Sequence, residues 1–101
     1  MVKTFVTAAL ERSRNLLAKI NKITNITTIG KLKQKDPAVA VLLENELRVA
    51  LYEINQSVAN DEDQKWPIDP EELRQLRQYQ LLFAQGLKKL TGKNQKIASL
   101  N

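Results

Sequence analysis

Residues 68–92, IDPEELRQLRQYQLLFAQGLKKLTG, contain the start signal, the apolar face and the stop signal of one helix. Asp69 is a residue type that caps helix N-termini, and Pro70 suits the first helical position. Gly92 follows the last apolar residue, where glycine commonly ends a helix. The stretch therefore predicts a helix with a single apolar face. That face comprises Leu73, Leu76, Tyr79, Phe83, Ala84, Leu87 and Leu90.

Two more helices are predicted nearer the N-terminus. From Val2 to Ile23 the apolar residues fall within an arc of roughly 140° at 100° per residue, which indicates one core-facing stripe. A second helix is predicted to start with Asp36 as its cap and Pro37 at the first position. Its core face comprises Val39, Ala40, Leu43, Leu47, Ala50, Leu51, Ile54 and Val58.

The second of these helices is apolar on more than one side. Val41, Leu42, Val49 and Tyr52 point well away from its core face. A helix that is apolar on most sides is usually buried between neighbours of its own chain, so a central position is one interpretation. A surface that binds a partner is the other. In the third helix Leu82 points away from the face of Phe83 and is open to the same two interpretations.

Three amphipathic helices predict an all-α fold, an antiparallel up-down-up bundle of three long helices followed by a short basic tail. We expect one domain over residues 1–92 and a tail over 93–101. The polar run NDEDQKWPI, residues 60–68, is predicted to be a loop. The stretch GKLKQKDP, residues 30–37, is predicted to be a connector, with Ile29 and Leu32 folded over one end of the bundle.

Charge is divided along the chain. Residues 1–35 contain eight basic residues and one acidic residue, residues 36–72 contain two basic and ten acidic residues, and residues 73–101 contain six basic residues and no acidic residue. An acidic middle segment between two basic ones places opposite charges side by side in a folded bundle. This pattern predicts charge pairs inside one molecule and weakens the case for a polyanion ligand.

Composition excludes the usual catalytic constellations. The chain has no histidine and no cysteine, so it lacks the commonest metal ligand, thiolate nucleophiles and the Ser-His and Cys-His pairs. Asp61 and Asp63 lack the glycine and the distant glutamate of a calcium loop. We therefore expect no enzyme activity, no cofactor and no metal site.

Hydropathy predicts no transmembrane segment, because no apolar run approaches the roughly 20 residues that a bilayer requires. The longest run is AVAVLL, residues 38–43. The apolar stretch near the N-terminus is too short for a signal peptide, and we expect it to begin a folded helix. The absence of cysteine suits a reducing compartment, and we expect a cytoplasmic protein.

Two binding functions stay open. The first is a helical protein-protein interaction module, an adaptor or regulatory subunit that self-associates as a homodimer or binds another protein. Its predicted partner-binding residues are Leu42, Val49, Tyr52 and Leu82. The second is nucleic-acid binding through the basic segments 12–35 and 88–96. The lysines predicted to contact phosphates are Lys31, Lys33, Lys35, Lys88, Lys89 and Lys93.

Overall fold

The computed structural model of the chain describes residues 5–62 and 69–95. These residues form four α-helices that pack against one another: α1 (Phe5–Ile23), α2 (Leu32–Lys35), α3 (Pro37–Glu62) and α4 (Pro70–Thr91). A 3-10 turn, Ile29–Lys31, leads directly into α2. The described ranges contain no strand, so the prediction of an all-helical fold is confirmed.

Both predicted ends of α4 are observed. The Asp69 carboxylate accepts a hydrogen bond from the backbone N–H of Glu71 at 3.1 Å, and Pro70 occupies the first position of the helix. At the other end Gly92 has φ 76°, a left-handed conformation that costs glycine little, and its N–H donates to the carbonyl oxygen of Lys88 at 2.7 Å. The local sequence signals are therefore sufficient to define this helix.

A mutation at the N-cap directly tests whether α4 starts at Asp69. The change Asp69→Ala removes the carboxylate and leaves an amide of the first turn without its acceptor. We expect the free energy of unfolding to fall by about 0.5 to 2 kcal/mol. Urea denaturation followed by circular dichroism measures this loss. An unchanged denaturation midpoint would show that α4 does not depend on this cap.

One apolar core lies between the helices. It includes Leu43, Leu47 and Ile54 from α3 and Leu76 and Phe83 from α4, all fully buried. The connector between α1 and α3 contributes to the same core, as predicted. Its buried residues are Ile26, Ile29 and Leu32. Gly86 lies within α4 where a Cβ would stand 3.3 Å from the end of the Ile26 side chain, so a residue without a side chain lets the connector approach α4 closely.

Charge pairs join α1 to α3. Arg12 donates from Nη1 to Glu53 Oε2 at 2.7 Å, and Lys19 donates from Nζ to Glu46 Oε1 at 2.9 Å. Of these two pairs, the one later in α1 thus involves the earlier residue of α3. Exposed pairs of this kind contribute only about 0 to 1 kcal/mol each, so they set the alignment of the two helices more than their stability.

A polar pair aligns α3 with α4. Gln80 is buried, and its side-chain amide donates to Asn55 Oδ1 at 2.9 Å. Further toward the C-terminus of α4, a Cβ on Gly86 would lie 3.5 Å from the Leu47 side chain. These contacts place the start of α4 beside the later part of α3. A buried hydrogen bond between two amides fixes the position of α4 along α3, because a shift of either helix would leave buried polar atoms without a hydrogen-bond partner.

Three predictions need correction. The predicted loop begins later than expected, because α3 continues to Glu62. The connector contains a short helix, α2, since the Leu32 side chain anchors it in the core. Ile23, predicted to face the core, is exposed at the last position of α1. The rest of the predicted loop, residues 63–68, lies outside the described ranges, as do residues 1–4 of the first predicted stripe and residues 96–101 of the predicted tail.

No helix within the described part of the chain combines the length and the hydropathy needed to cross a bilayer.

Candidate interaction surfaces

The outer side of α3 is rich in exposed apolar side chains. Leu42 is 50% exposed, Val49 52% and Tyr52 64%, and Val41 is also largely exposed. This exposure agrees with the sequence pattern, and it shows that the described neighbours of α3 do not cover these residues. An exposed apolar cluster on one helix is typical of a surface that binds another protein.

These residues belong to a regular stripe, which we name the α3 seam. Its members are Ala38, Leu42, Asn45, Val49, Tyr52, Gln56 and Ala59. Successive members are separated alternately by four and three residues, the spacing of the a and d positions in a coiled coil. Every member is exposed and none is charged. The seam lies on the side of α3 opposite Leu47, which is in the core.

Sequence reasoning found only part of the seam. It identified Leu42, Val49 and Tyr52 from their hydrophobicity but missed Asn45 and the other small or amide-bearing members. The signal that identifies them is spacing combined with the absence of charge. A search for large apolar residues alone does not detect such a stripe because amides or alanines occupy four of its seven positions.

A shallow groove of about 360 Å³ lies beside the seam, between α1 and α3. Buried Leu16 and Ala50 form part of its lining, and Leu42 and Val49 line the side nearest the seam. Lys19 is also part of the lining, with its partner Glu46. The groove therefore adds an apolar lining with a charged rim to the α3 seam.

The predicted role of Leu82 loses its structural basis. Leu82 is partly buried and packs against the core cluster, whereas its neighbour Leu81 is 61% exposed. At 100° per residue Leu82 lies at the edge of the face centred on Phe83, and Leu81 lies almost opposite it. The expectation that Leu82 faces away from the core is wrong, because the neighbours of α4 cover this edge of its face as well.

A second surface, which we name the lysine end, is formed by Lys31, Lys33, Lys35, Lys88, Lys89 and Lys93. All six side chains are exposed, and none forms an ion pair with another described residue. Three of these lysines belong to the connector and three lie near the end of α4. The contact that brings the two groups together is between backbone atoms. A Cβ on Gly30 would lie 3.0 Å from the carbonyl oxygen of Lys89. The internal charge pairing predicted from the sequence thus includes Arg12 and Lys19 but not the lysine end.

The lysine end is divided into smaller patches. Lys31 and Lys35 line an open groove of about 630 Å³ together with Thr24 and Thr28, while Lys33 is not part of that lining. The hydroxyl groups of the two threonines hydrogen-bond to each other at 2.8 Å. The arrangement offers several separate cationic contacts and no enclosed anion site among the described residues.

At the opposite end of the molecule, α4 begins with acidic residues. Asp69, Glu71 and Glu72 lie there, close to the positive end of the helix dipole. A hydrogen bond from Arg74 and a weaker one from Gln75 lower the pKa of the Glu71 carboxyl group below its ordinary value. Exposed lysines therefore predominate at one end of the molecule, where Asp36 is also exposed, and at the other end carboxylates predominate beside the exposed Arg74.

No group of three acidic side chains in the described ranges is arranged to hold a metal ion. Comparison with protein-family models, with curated protein sequences and with solved structures finds no match for this chain. The function of the candidate surfaces therefore has to follow from their own geometry.

Proposed function

We propose that this protein is a non-enzymatic helical interaction module, an adaptor or regulatory subunit, that binds another protein chain through the α3 seam. The observation that carries the proposal is the exposed, uncharged stripe with coiled-coil spacing. Self-association is its simplest form. A coiled-coil partner inserts its side chains between residues of just this spacing, and burial of apolar area supplies the main driving force.

The proposed architecture explains why the seam is free to bind. We propose that α1, α3 and α4 form an antiparallel up-down-up bundle, in which α3 is the central helix. The pairs Arg12–Glu53 and Asn55–Gln80 support this arrangement, because they place α1 on one flank of α3 and α4 on another. The outer side of α3 then has no intramolecular neighbour among the described helices.

Charges placed in the seam test the proposed function. The double change Val49→Glu with Tyr52→Glu puts two carboxylates where a partner would desolvate them. We expect a lower mass in light scattering, or loss of partner capture, with unchanged helix content. The change Leu81→Glu is the matched control, because it also removes an exposed apolar side chain but lies on α4. Equal effects of the two variants would contradict a role for the seam.

Nucleic-acid binding is the second candidate, and the observation that favours it is the assembly of the lysine end. A protein that holds phosphates loses affinity steeply as salt rises, and each lost lysine contact lowers the log-log slope by about one unit. The test is to change Lys31, Lys33 and Lys35 to Ala and to measure binding to RNA or DNA as a function of salt concentration. If this change removes salt-sensitive binding while the seam variant keeps its mass and its partners, nucleic-acid binding is the function and the interaction module is not.

A further inference from the structure

We propose that the occupant of the α3 seam is the α3 seam of a second copy, packed antiparallel about a two-fold axis that passes between Val49 and Tyr52. This inference rests on the proposed function and specifies its partner. A two-fold interface uses the same surface patch on both copies, so the patch must be complementary to itself when reversed. The seam, the flanking charges and the two ends of the molecule all meet this requirement.

The seam is self-complementary in polarity. Six of its seven members, from residue 42 to residue 59, run apolar, amide, apolar, apolar, amide, apolar, an order that reads the same in both directions, and Ala38 lies beyond this span. Reversed pairing sets Asn45 against Gln56 of the second copy. Each buried amide then meets another amide that can donate and accept, which avoids the cost of an unsatisfied polar group.

The seam is also self-complementary in volume. Reversed pairing sets Leu42 against Ala59 of the second copy and Val49 against Tyr52 of the second copy. Each layer thus combines a larger side chain with a smaller one, which suits close packing. A parallel pair would set Tyr52 against Tyr52 and Ala59 against Ala59, so the layers would differ widely in side-chain volume.

Charges beside the seam are compatible with this pairing. Glu46 and Glu53 lie on the flank nearest α1, and each is already paired with a base, Lys19 or Arg12. The same carboxylates of the second copy approach with their own bases attached. On the other flank Arg48, which is paired with Glu44 at 2.7 Å, meets the uncharged Asn55 of the second copy. The described charges along the seam therefore do not force unpaired like charges together.

The two ends of the molecule add charge complementarity. The lysine end lies where α3 begins, and the acidic start of α4 lies beside the later part of α3. An antiparallel pair brings the lysine end of each copy toward Asp69, Glu71 and Glu72 of the other. A parallel pair would place the two lysine ends side by side, where like charges repel.

Single cysteines test this arrangement because the chain has no cysteine of its own. The variants are Leu42→Cys and Ala59→Cys, each treated with a short bis-maleimide, alone and as an equal mixture. We expect a crosslinked dimer only in the mixture. Two copies of the same variant would hold their thiols about 17 residues apart along the helix axis, about 26 Å, beyond the reach of the reagent. Gln78→Cys, exposed on α4, is the control for random collision.

Light scattering of the unmodified protein completes the experiment, with an expected mass twice the 11.5 kDa of the chain. Crosslinks formed by each variant alone, with a dimeric mass, would overturn the antiparallel pairing and leave the proposed function intact. A monomeric mass with no crosslink would overturn the pairing of two copies altogether. With a monomeric protein, the proposed function would still be tested by the Val49→Glu, Tyr52→Glu variant. It would fail if this variant bound other proteins as tightly as the unmodified protein does.

Discussion

Phe83→Ala is expected to lower the free energy of unfolding by about 3 to 5 kcal/mol. Phe83 has no exposed surface, and its ring centroid lies 5.7 Å from that of Tyr79 in a tilted contact. Truncation removes the buried apolar surface, leaves a cavity in the core and ends the ring contact. Native proteins have total stabilities of about 5 to 15 kcal/mol, so the variant should unfold at much lower urea concentration.

Leu81→Ala is the control for this change on the same helix. Its side chain is mainly exposed, so truncation should alter the free energy of unfolding by no more than about 0.5 kcal/mol. Urea denaturation followed by circular dichroism gives both values. Similar losses for the two variants would mean that α4 does not present the face of Phe83 to the core.

Gly30→Ala is expected to lower the free energy of unfolding by about 1 to 3 kcal/mol through overpacking. The added Cβ would lie 3.0 Å from the carbonyl oxygen of Lys89. A backbone atom held in a helix cannot move aside as the end of a side chain can. The 3-10 turn and α2 must therefore shift away from α4, which also separates the two groups of lysines in the lysine end.

Gly86→Ala is the matched comparison, because the same methyl group is added at a different site. Its Cβ would meet only the ends of the Ile26 and Leu47 side chains, at 3.3 and 3.5 Å. Alanine also favours a helix interior over glycine by up to about 1 kcal/mol. We expect the Gly86 variant to be the more stable of the two in thermal denaturation. The opposite order would contradict the close approach of Gly30 to α4.

Local sequence signals predict the helices well because capping and periodicity are local effects. Asp69, Pro70 and Gly92 define α4 by contacts within a few residues of the chain. The end of α3 is harder to predict, because a polar run favours a loop without forbidding a few more helical residues. The short helix α2 depends on Leu32 reaching the core, a tertiary contact that no local pattern of lysines reveals.

The candidate surfaces likewise divide into features that local sequence signals predict and features that depend on long-range contacts. Helical periodicity places Leu42, Val49 and Tyr52 away from the core face of α3, but it leaves open whether a neighbouring helix covers them, and only the structure shows that they are exposed. The environment of Leu82 depends on how widely α4 is covered by its neighbours, which periodicity alone does not give. The lysine end depends on Gly30 approaching Lys89, two residues far apart in the chain. Long-range contacts of this kind require the structure.

The unequal extent of the contacts between the helices also determines which part of the described structure opens most easily. Its interface with α4 is more extensive than its interface with α1, and α1 contacts α4 least. Local unfolding follows the smallest set of buried contacts, so we expect α1 to detach at a lower free energy than either of the other two long helices, α3 and α4. We expect the packed helices α3 and α4, which the Asn55–Gln80 hydrogen bond joins, to exchange their amide hydrogens most slowly. The α3 seam belongs to that protected unit, so binding would draw on the most rigid part of the chain and little ordering entropy would oppose it.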